Sequence, residues 1–473
     1  MLSFKDFPEA QDFIHKKGID LVSFFMPDIE GRLRNVTIPA NNFTEKIMEN
    51  GIGFDASNLG FATVEQSDMV CKPDLLFGFE NPLEDSSRIL YFFCNVFDVE
   101  TGESFAQDQR HMVAKAIESL KKEGIADEVQ VLLELEFNII DNLYSRMTSR
   151  EVAYKLESSE MANPPTGEEV YRLGSNRGYF RAEPNDHIFQ IRNQIVRACT
   201  KLNINIKYHH HEVGCAQSEI EFKFMPVEFA ADINVLVKNL SHRIARSQNK
   251  IISFLPKIIP GEAGNGMHCH LYLLKDGQNV FNDENGLYEL SSIALHFIGG
   301  ILTHISSLAA FTNPTTNSYR RICAGLEAPS KAVFAKGNRS AAIRIPAYVK
   351  DPTERRFEFR PMDATCNPYL AFTALIMAGL DGVRNQIDPI KAGFGPLETN
   401  LYHLPPEKLA QIPSFPESLE LALNTLEDDN EYLQFDGVVS YELIKKWISV
   451  KRKDIEDMRK IPHPWEVARY YDL

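Results

Sequence analysis

Four segments in the middle of this chain alternate between apolar residues and residues that carry charge, and the charged sets are segregated by type. In 133–140, Leu133, Leu135, Phe137 and Ile139 fall on one face of a strand, and Glu134, Glu136 and Asn138 on the other. In 217–224, Gln217, Glu219 and Glu221 oppose Ile220, Phe222 and Phe224. In 268–273, His268, His270 and Tyr272 alternate with Cys269, Leu271 and Leu273. In 355–360, Arg356, Glu358 and Arg360 alternate with Arg355, Phe357 and Phe359. This period of two predicts strands of an antiparallel sheet, each with one greasy and one charged face.

Such a sheet ordinarily turns its charged face to water. A solvated face mixes Lys, Thr and Ser with its acids, whereas here acids, histidines and arginines are sorted strand by strand. Two carboxylates about 4 Å apart repel by ~4 kcal/mol at an effective dielectric of ~20, a cost that bound cations remove. With Glu212 of HHHEV, the set Glu134, Glu136, Glu219, His268 and Glu358 gives five carboxylates and one imidazole, the ligand set of hard divalent cations. Arginines in NRSAAIR and RRFEFR suggest a phosphoryl group held between metal and guanidinium. That is the chemistry of an ATP-using enzyme, and the chain has no GxxxxGK[ST] loop. GEAGNGMH lacks the glycine spacing of a dinucleotide fingerprint, and HHHEV lacks the second histidine of HExxH. Strand alternation allows only one or two of His209, His210 and His211 to face a common cavity.

At 473 residues the chain exceeds one ordinary core, so two domains are expected. A net charge of −15 argues against nucleic-acid and anionic-membrane partners. Seven dispersed cysteines without a CxxC pair suit a reducing cytoplasm. No signal-type apolar run opens the chain, and the run at 370–380 is too short to span a bilayer.

Residues 1–105 read as strand-rich, with IDLVSFFM and RLRNVTIPA flanking the turn PDIEG, and SSRILYFFCNVFDV as a strand pair or one long strand. The helix in DQRHMVAKAIESLKKEG follows the expected boundary, giving an N-terminal domain at 1–106 and a catalytic domain at 107–473. Helices are expected at 187–202, 228–249 and, buried and mostly apolar, 290–311. Beyond 365 the chain turns helical. The polar segment 142–183 reads as a long excursion, and 313–330 and 386–415 as polar loops.

The motifs FDASNLGFATVEQSDM, ELEF, HHEV with QSE, GNGMHCH, NPTTNSYRR, NRSAAIRIP, RRFEFR and NPYLAFTALIMAGLDG occur in that order. Together they resemble the type I glutamine synthetase family over nearly the whole chain. The resemblance implies an α+β protein, with a small β-grasp domain and a larger catalytic domain built on a curved antiparallel sheet flanked by helices. It implies a homo-dodecamer of two six-membered rings with sites between neighbouring subunits. It also implies Mg²⁺ or Mn²⁺ at two or more sites, with ATP, glutamate and ammonia as substrates. Position by position, Glu136, Glu212 and Glu219 resemble the ligands of one cation, and Glu134, His268 and Glu358 those of a second near the phosphates. Arg339, Arg344 and Arg356 match phosphate binders, and Arg321 and Arg360 match clamps for the amino acid's carboxylates. Glu327 matches the loop carboxylate that closes the site and takes a proton from ammonium. Asp55 matches the ammonium-binding residue of an adjacent subunit, with Asn58 and Tyr179 nearby. Gly264 matches a substrate contact, and Phe224 and His270 match nucleotide contacts.

Without the resemblance, Arg339 and Arg344 also fit an interface ion-pair set, Asp55 a turn residue and Tyr179 a packed aromatic. Departures from the family pattern fall at Ala263, Asn265, Lys207, Tyr272, Asn58, Leu133 and Leu135. They bear on the amino-acid substrate and the nucleotide pose, and they leave the metal-type ligands intact. Tyr402 matches the adenylylated tyrosine of some relatives. Glutamine synthesis is the expected activity. Alternatives are a γ-glutamyl ligase for methylamine or a polyamine, a catalytically weak structural or regulatory relative, and a metal-dependent hydrolase, which would leave the arginines without a purpose.

Overall fold

The structure, a computed structural model, describes residues 1–60, 67–83, 88–161, 174–323, 328–399 and 405–470. Glu327 and Tyr402 lie outside the described residues. Strands β1 (Leu21–Pro27), β2 (Leu33–Pro39), β3 (Ile52–Asp55), β4 (Asp68–Glu80) and β5 (Ile89–Asp98) form a five-stranded sheet in the order β2-β1-β5-β4-β3. The central pair β1 and β5 is parallel and its neighbours are antiparallel, the arrangement of a β-grasp. The described part of SSRILYFFCNVFDV thus holds one strand, Ile89–Asp98, rather than a strand pair. One face of the sheet closes over Phe24, Phe43 and Phe92 beneath the helix Phe7–Lys17. The other carries Phe25, Phe77, Phe79 and Phe93 into the main core of the molecule. Between the two layers, Arg110 reaches Asp232 at 2.8 Å and Asp74 at 3.0 Å. The Tyr369 hydroxyl donates to Asp232 at 2.5 Å.

The large sheet is built on β6 (Glu128–Ile140). After the hairpin β7 (Asn142–Thr148) and β8 (Glu151–Glu157) come β9 (Ile206–His211), β10 (Gln217–Phe222), β11 (Met225–Pro226) and β12 (Ile251–Ser253). Next follow β13 (Met267–Lys275), β14 (Gln278–Asn279), β15 (Lys331–Lys336), β16 (Ala341–Ile345) and β17 (Phe357–Phe359). The order is β15-β16-β17-β13-β6-β10-β9, with β11 and β12 also paired to β6 and β14 to β13. Helices Phe189–Lys201, Val227–Ser247, Ser292–Thr303 and Pro368–Arg384 flank it. Pattern reading locates these helices because apolar side chains recur at helical spacing against the greasy face of the sheet.

Three expectations change. The polar segment 142–183 begins with a two-stranded hairpin, β7–β8, exposed along most of its length. The apolar helix at 290–311 is two helices, Ser292–Thr303 and Ile305–Thr312, bent by 77°. The bend is fixed by His304, whose ring bonds Asp381 on the helix Pro368–Arg384 and Asp429 at the C-terminal end of the helix Leu419–Asp428. The loop at 313–330 contains the short helix Ser318–Ile322. No described helix is long and apolar enough to cross a membrane by itself; the bent pair passes that test only jointly and is largely buried.

Candidate active site

Strand register assembles the site. Glu136 on β6 pairs with Glu219 on β10, which pairs with His210 on β9. One step along, His268 on β13 pairs with Glu134 on β6, which pairs with Glu221 on β10. In a third row, Arg344 on β16 pairs with Glu358 on β17, which pairs with His270 on β13. Directly opposed residues bring their Cβ atoms to roughly 5 Å, so the register alone forces these side chains together. The charged faces do not meet bulk water: β10 is buried at every position, and Glu136, Glu219, His268 and Glu358 are all buried.

The side chains line a cavity of about 690 Å³. His268 Nδ1 lies 2.7 Å from Glu134 and 3.7 Å from Glu358, and its Nε2 is 3.7 Å from Glu136. His268 therefore touches carboxylates of both expected ligand sets. His210 Nε2 lies 3.3 Å from Glu219 and its Nδ1 3.9 Å from Glu212. Glu212 also accepts from the Val213 amide at 2.6 Å, and Glu136 from the Gly266 amide at 2.7 Å. On the far side, Glu358 is held by Arg344 and by Arg360 at 2.6 Å. Arg321 is fixed by the carbonyls of Pro361 at 2.8 Å and Arg360 at 3.2 Å.

The electrostatics divide the acids. Burial works to raise Glu134, but hydrogen bonds with His268 and His270 outweigh it and hold the carboxyl well below its ordinary range. Burial likewise opposes ionisation of Glu358, yet Arg360 and Arg344 bring it down to about 2. Glu212 and Glu219 go the other way: burial, followed for Glu212 by the charges of Glu136 and Glu219 and for Glu219 by those of Glu134, Glu136 and Glu221, pushes both well up. A cation between these oxygens would relieve that repulsion. Carboxylate oxygens with imidazole nitrogens are the donors hard divalent ions take, so the residues fit the metal implied by the sequence.

The cavity gathers Glu134, Glu136, Glu212, Glu219, His268, Glu358, Arg321, Arg339, Arg344, Arg360, Tyr179 and Gly264. Gly264 sits where a Cβ would lie 2.5 Å from the Pro256 carbonyl oxygen and 2.9 Å from the Arg321 side chain, so only glycine fits. His270 and Arg356 are buried behind this wall and do not line it. His270 Nε2 is 2.9 Å from Glu134, and Arg356 donates to His270 Nδ1 at 3.3 Å. Arg356 also lies over the Phe224 ring, 5.0 Å from its centroid, and Tyr272 packs against the same ring in a T-shaped contact. Asp55 and Asn58 are exposed at the edge of the N-terminal sheet and are not part of this chain's cavity. Asp55 accepts from Asn58 at 2.7 Å and from the Ser57 hydroxyl at 2.6 Å.

Of the three consecutive histidines, His210 alone lines the cavity; His209 stacks toward Phe189 and His211 pairs with buried Glu160 at 2.9 Å. One cavity-facing histidine agrees with the strand alternation read from the sequence, whereas Glu160 was not picked out there. Alternation left open which of the histidines it would be, and nothing local marks Glu160.

Residues 106–470 match the family model described as glutamine synthetase, catalytic domain, and residues 18–99 match the glutamine synthetase beta-Grasp domain. The chain is 39% identical to the glutamine synthetase of Aquifex aeolicus over 468 residues, 98% of each chain. It is 39% identical to that of Mycolicibacterium smegmatis, covering 97% of this chain and 98% of the relative. The cryo-EM structure of Plasmodium falciparum glutamine synthetase superposes with a TM-score of 0.90 at 27% identity, covering 99% of both chains.

Proposed function

The chain belongs to the glutamine synthetase family, and we propose on that footing that it joins ammonia to the γ-carboxylate of glutamate. ATP first converts the carboxylate to γ-glutamyl phosphate, and the products are glutamine, ADP and phosphate. It is an ATP-dependent carbon–nitrogen ligase. The observation that carries the reading is a cavity that unites six metal-type ligands with four arginines on a chain so similar, end to end, to glutamine synthetases. Ligation of another amine, and a weak regulatory role, have no comparable support.

In this reading Glu136, Glu212 and Glu219 hold one divalent cation, and Glu134, His268 and Glu358 a second, with Mg²⁺ or Mn²⁺ as the ion. Bound there, such ions offset the negative charge of a phosphoryl group in transit. Arg339, Arg344 and Arg356 serve the phosphates, with Phe224 and His270 on the nucleotide side. Arg321, its guanidinium locked by two carbonyls, clamps a carboxylate of glutamate together with Arg360 and the Gly264 backbone. Ammonium is not a nucleophile, so acids must hold it and remove a proton. Tyr179, Glu327 and a neighbouring copy's Asp55 and Asn58 take that part, and the loop of Glu327 keeps water from the acyl phosphate. The working assembly is a dodecamer of two hexameric rings, and the domains meet between residues 106 and 107. Seven thiols without a disulfide suit a cytoplasmic location.

The test is ADP release by the purified protein with glutamate, ammonium and either metal, followed by an amine panel. Turnover with ammonium, at a kcat/KM above those for methylamine and polyamines, is expected. No turnover with either metal, or a clear preference for an organic amine, overturns the reading.

A further inference from the structure

One register irregularity lies beside the cavity. Tyr208 pairs with Glu221 and Ile206 with Phe222, so Lys207 is an extra residue on β9. In an unbroken strand Lys207 would face away from Tyr208 and His210; the bulge re-aims it, and all three line the cavity. The Lys207 ammonium lies 2.6 Å from Glu221 Oε1 and 4.9 Å from the Tyr208 ring centroid. Glu221 is fully buried, and its Oε2 has no hydrogen-bond partner. Glu134, Glu219 and Glu221 each present a carboxylate oxygen within 4.8 Å of the others.

These three acids form a third ligand group. It shares Glu134 with the group that contains Glu358, and Glu219 with the group that contains Glu212. Three carboxylates around one point, two of them buried and Glu134 partly so, demand positive charge. An ion at that point would draw on the same Glu134 and Glu219 that the other two cations use. A single-charged ammonium on a stem of its own chain offsets Glu221 through hydrogen bonds and takes up no coordination position on Glu134 or Glu219.

We propose that Lys207 is a tethered cation that neutralises Glu221 and thereby closes the Glu134–Glu219–Glu221 group to a third divalent ion. The inference rests on the two-cation reading above. Lys207 sets how many ions the site takes up, and the bulge on β9 is the device that puts it there.

The experiment is a titration of the full-length protein with Mn²⁺ alone, with free ion read by electron paramagnetic resonance. Wild type, Lys207→Gln, Lys207→Arg and the double variant Lys207→Gln/Glu221→Gln are compared. Lys207→Gln should bind one more ion per chain than wild type. Lys207→Arg, which keeps the charge, should match wild type, and the double variant should lose the extra ion. An unchanged or lower count in Lys207→Gln overturns the proposal, as does an extra ion that persists in the double variant. If Lys207→Gln instead leaves the count alone and raises KM for ATP, Lys207 is a phosphate contact and the proposal falls. Wild type binding fewer than two ions would count against the two-cation reading, and the difference between wild type and Lys207→Gln would still decide the role of Lys207.

Discussion

Replacing Glu160 by glutamine should weaken cation binding at Glu212 without touching a ligand. Glu160 is 1% exposed. Its Oε2 accepts from the Ala216 amide at 2.8 Å and faces His211 Nε2 at 2.9 Å, and its Oε1 accepts from the His187 amide at 3.0 Å. His211 Nδ1 in turn lies 2.6 Å from the Glu212 carbonyl oxygen. Glu160 thus fixes both ends of the turn that carries Glu212, through His211 on one side and Ala216 on the other. Burial works to raise the Glu160 carboxyl, but His211 and the two amides outweigh it and keep it below its ordinary value. Glutamine has one acceptor oxygen where the carboxylate has two, so at least one buried donor is left unpaired, at about 1–3 kcal/mol. Transmitted to the ligand, that corresponds to the roughly 10- to 100-fold loss of metal affinity usual when a group supporting a ligand is removed. The assay is Mn²⁺ titration of Glu160→Gln and wild type at one pH, paired with thermal unfolding in metal-free buffer. A variant that melts earlier yet binds Mn²⁺ as wild type does would show that Glu160 supports only the fold, and the positioning argument would be wrong.

Two further outcomes follow from charge placement. Glu212 and Glu219 are pushed up by burial and by neighbouring carboxylates, so ion binding must expel protons. Affinity for Mn²⁺ should fall as pH falls, and calorimetry in two buffers of different ionisation enthalpy should show proton release; buffer-independent heats would contradict this. His304 sits 2.8 Å from Asp429 and 3.1 Å from Asp381, and although burial lowers its pKa, the two carboxylates raise it to about 9. A group raised in the folded state stabilises fully below its unfolded value near 6.5 and loses that contribution as pH rises through the folded value near 9. His304→Gln should therefore cost on the order of 2–3 kcal/mol at pH 6 and much less at pH 10, read from denaturant midpoints, and an equal loss at both would refute the assignment.

The metal-type ligands were legible because period-two alternation fixes which side chains share a face, and Glu134 with Glu136 needs nothing beyond that. Alternation cannot say whether the charged face is wet. Here it is buried, because the sheet curves around its own acids and arginines with helices behind it. The break at His304 left no local mark: Gly299, Gly300, Ile301 and Leu302 read as continuous helix. What fixes the bend are Asp381 and Asp429, 77 and 125 residues away in sequence. The bulge at Lys207 is hidden for a related reason, since one extra residue in KYHHH changes no hydrophobic pattern, yet it sends Lys207 to the face of Tyr208 and His210. Glu160 lies in a polar run that offered no periodicity at all, and only its buried partners reveal it.

Asp55 poses a different problem, because it is exposed and outside the cavity of its own chain. If it serves catalysis, it does so in a neighbour's cavity, and co-assembly of differently damaged chains can decide this. Asp55→Ala and Glu136→Ala should each be nearly inactive in homogeneous assemblies. In an equal, random co-assembly of the two, half of the chains present an intact Asp55 and half present an intact cavity. Sites completed across an interface then recover about a quarter of wild-type activity, whereas sites completed within one chain recover none, since each chain carries one lesion. The reciprocal mixture sharpens the distinction. Wild type co-assembled with a chain bearing both lesions should give about a quarter of full activity if the site is shared and about half if it is not. Recovery near zero in the first mixture and near half in the second would confine Asp55 to its own chain, whereas near-normal activity of homogeneous Asp55→Ala would leave the exposed turn at 55–58 with only its local hydrogen bonds to explain it.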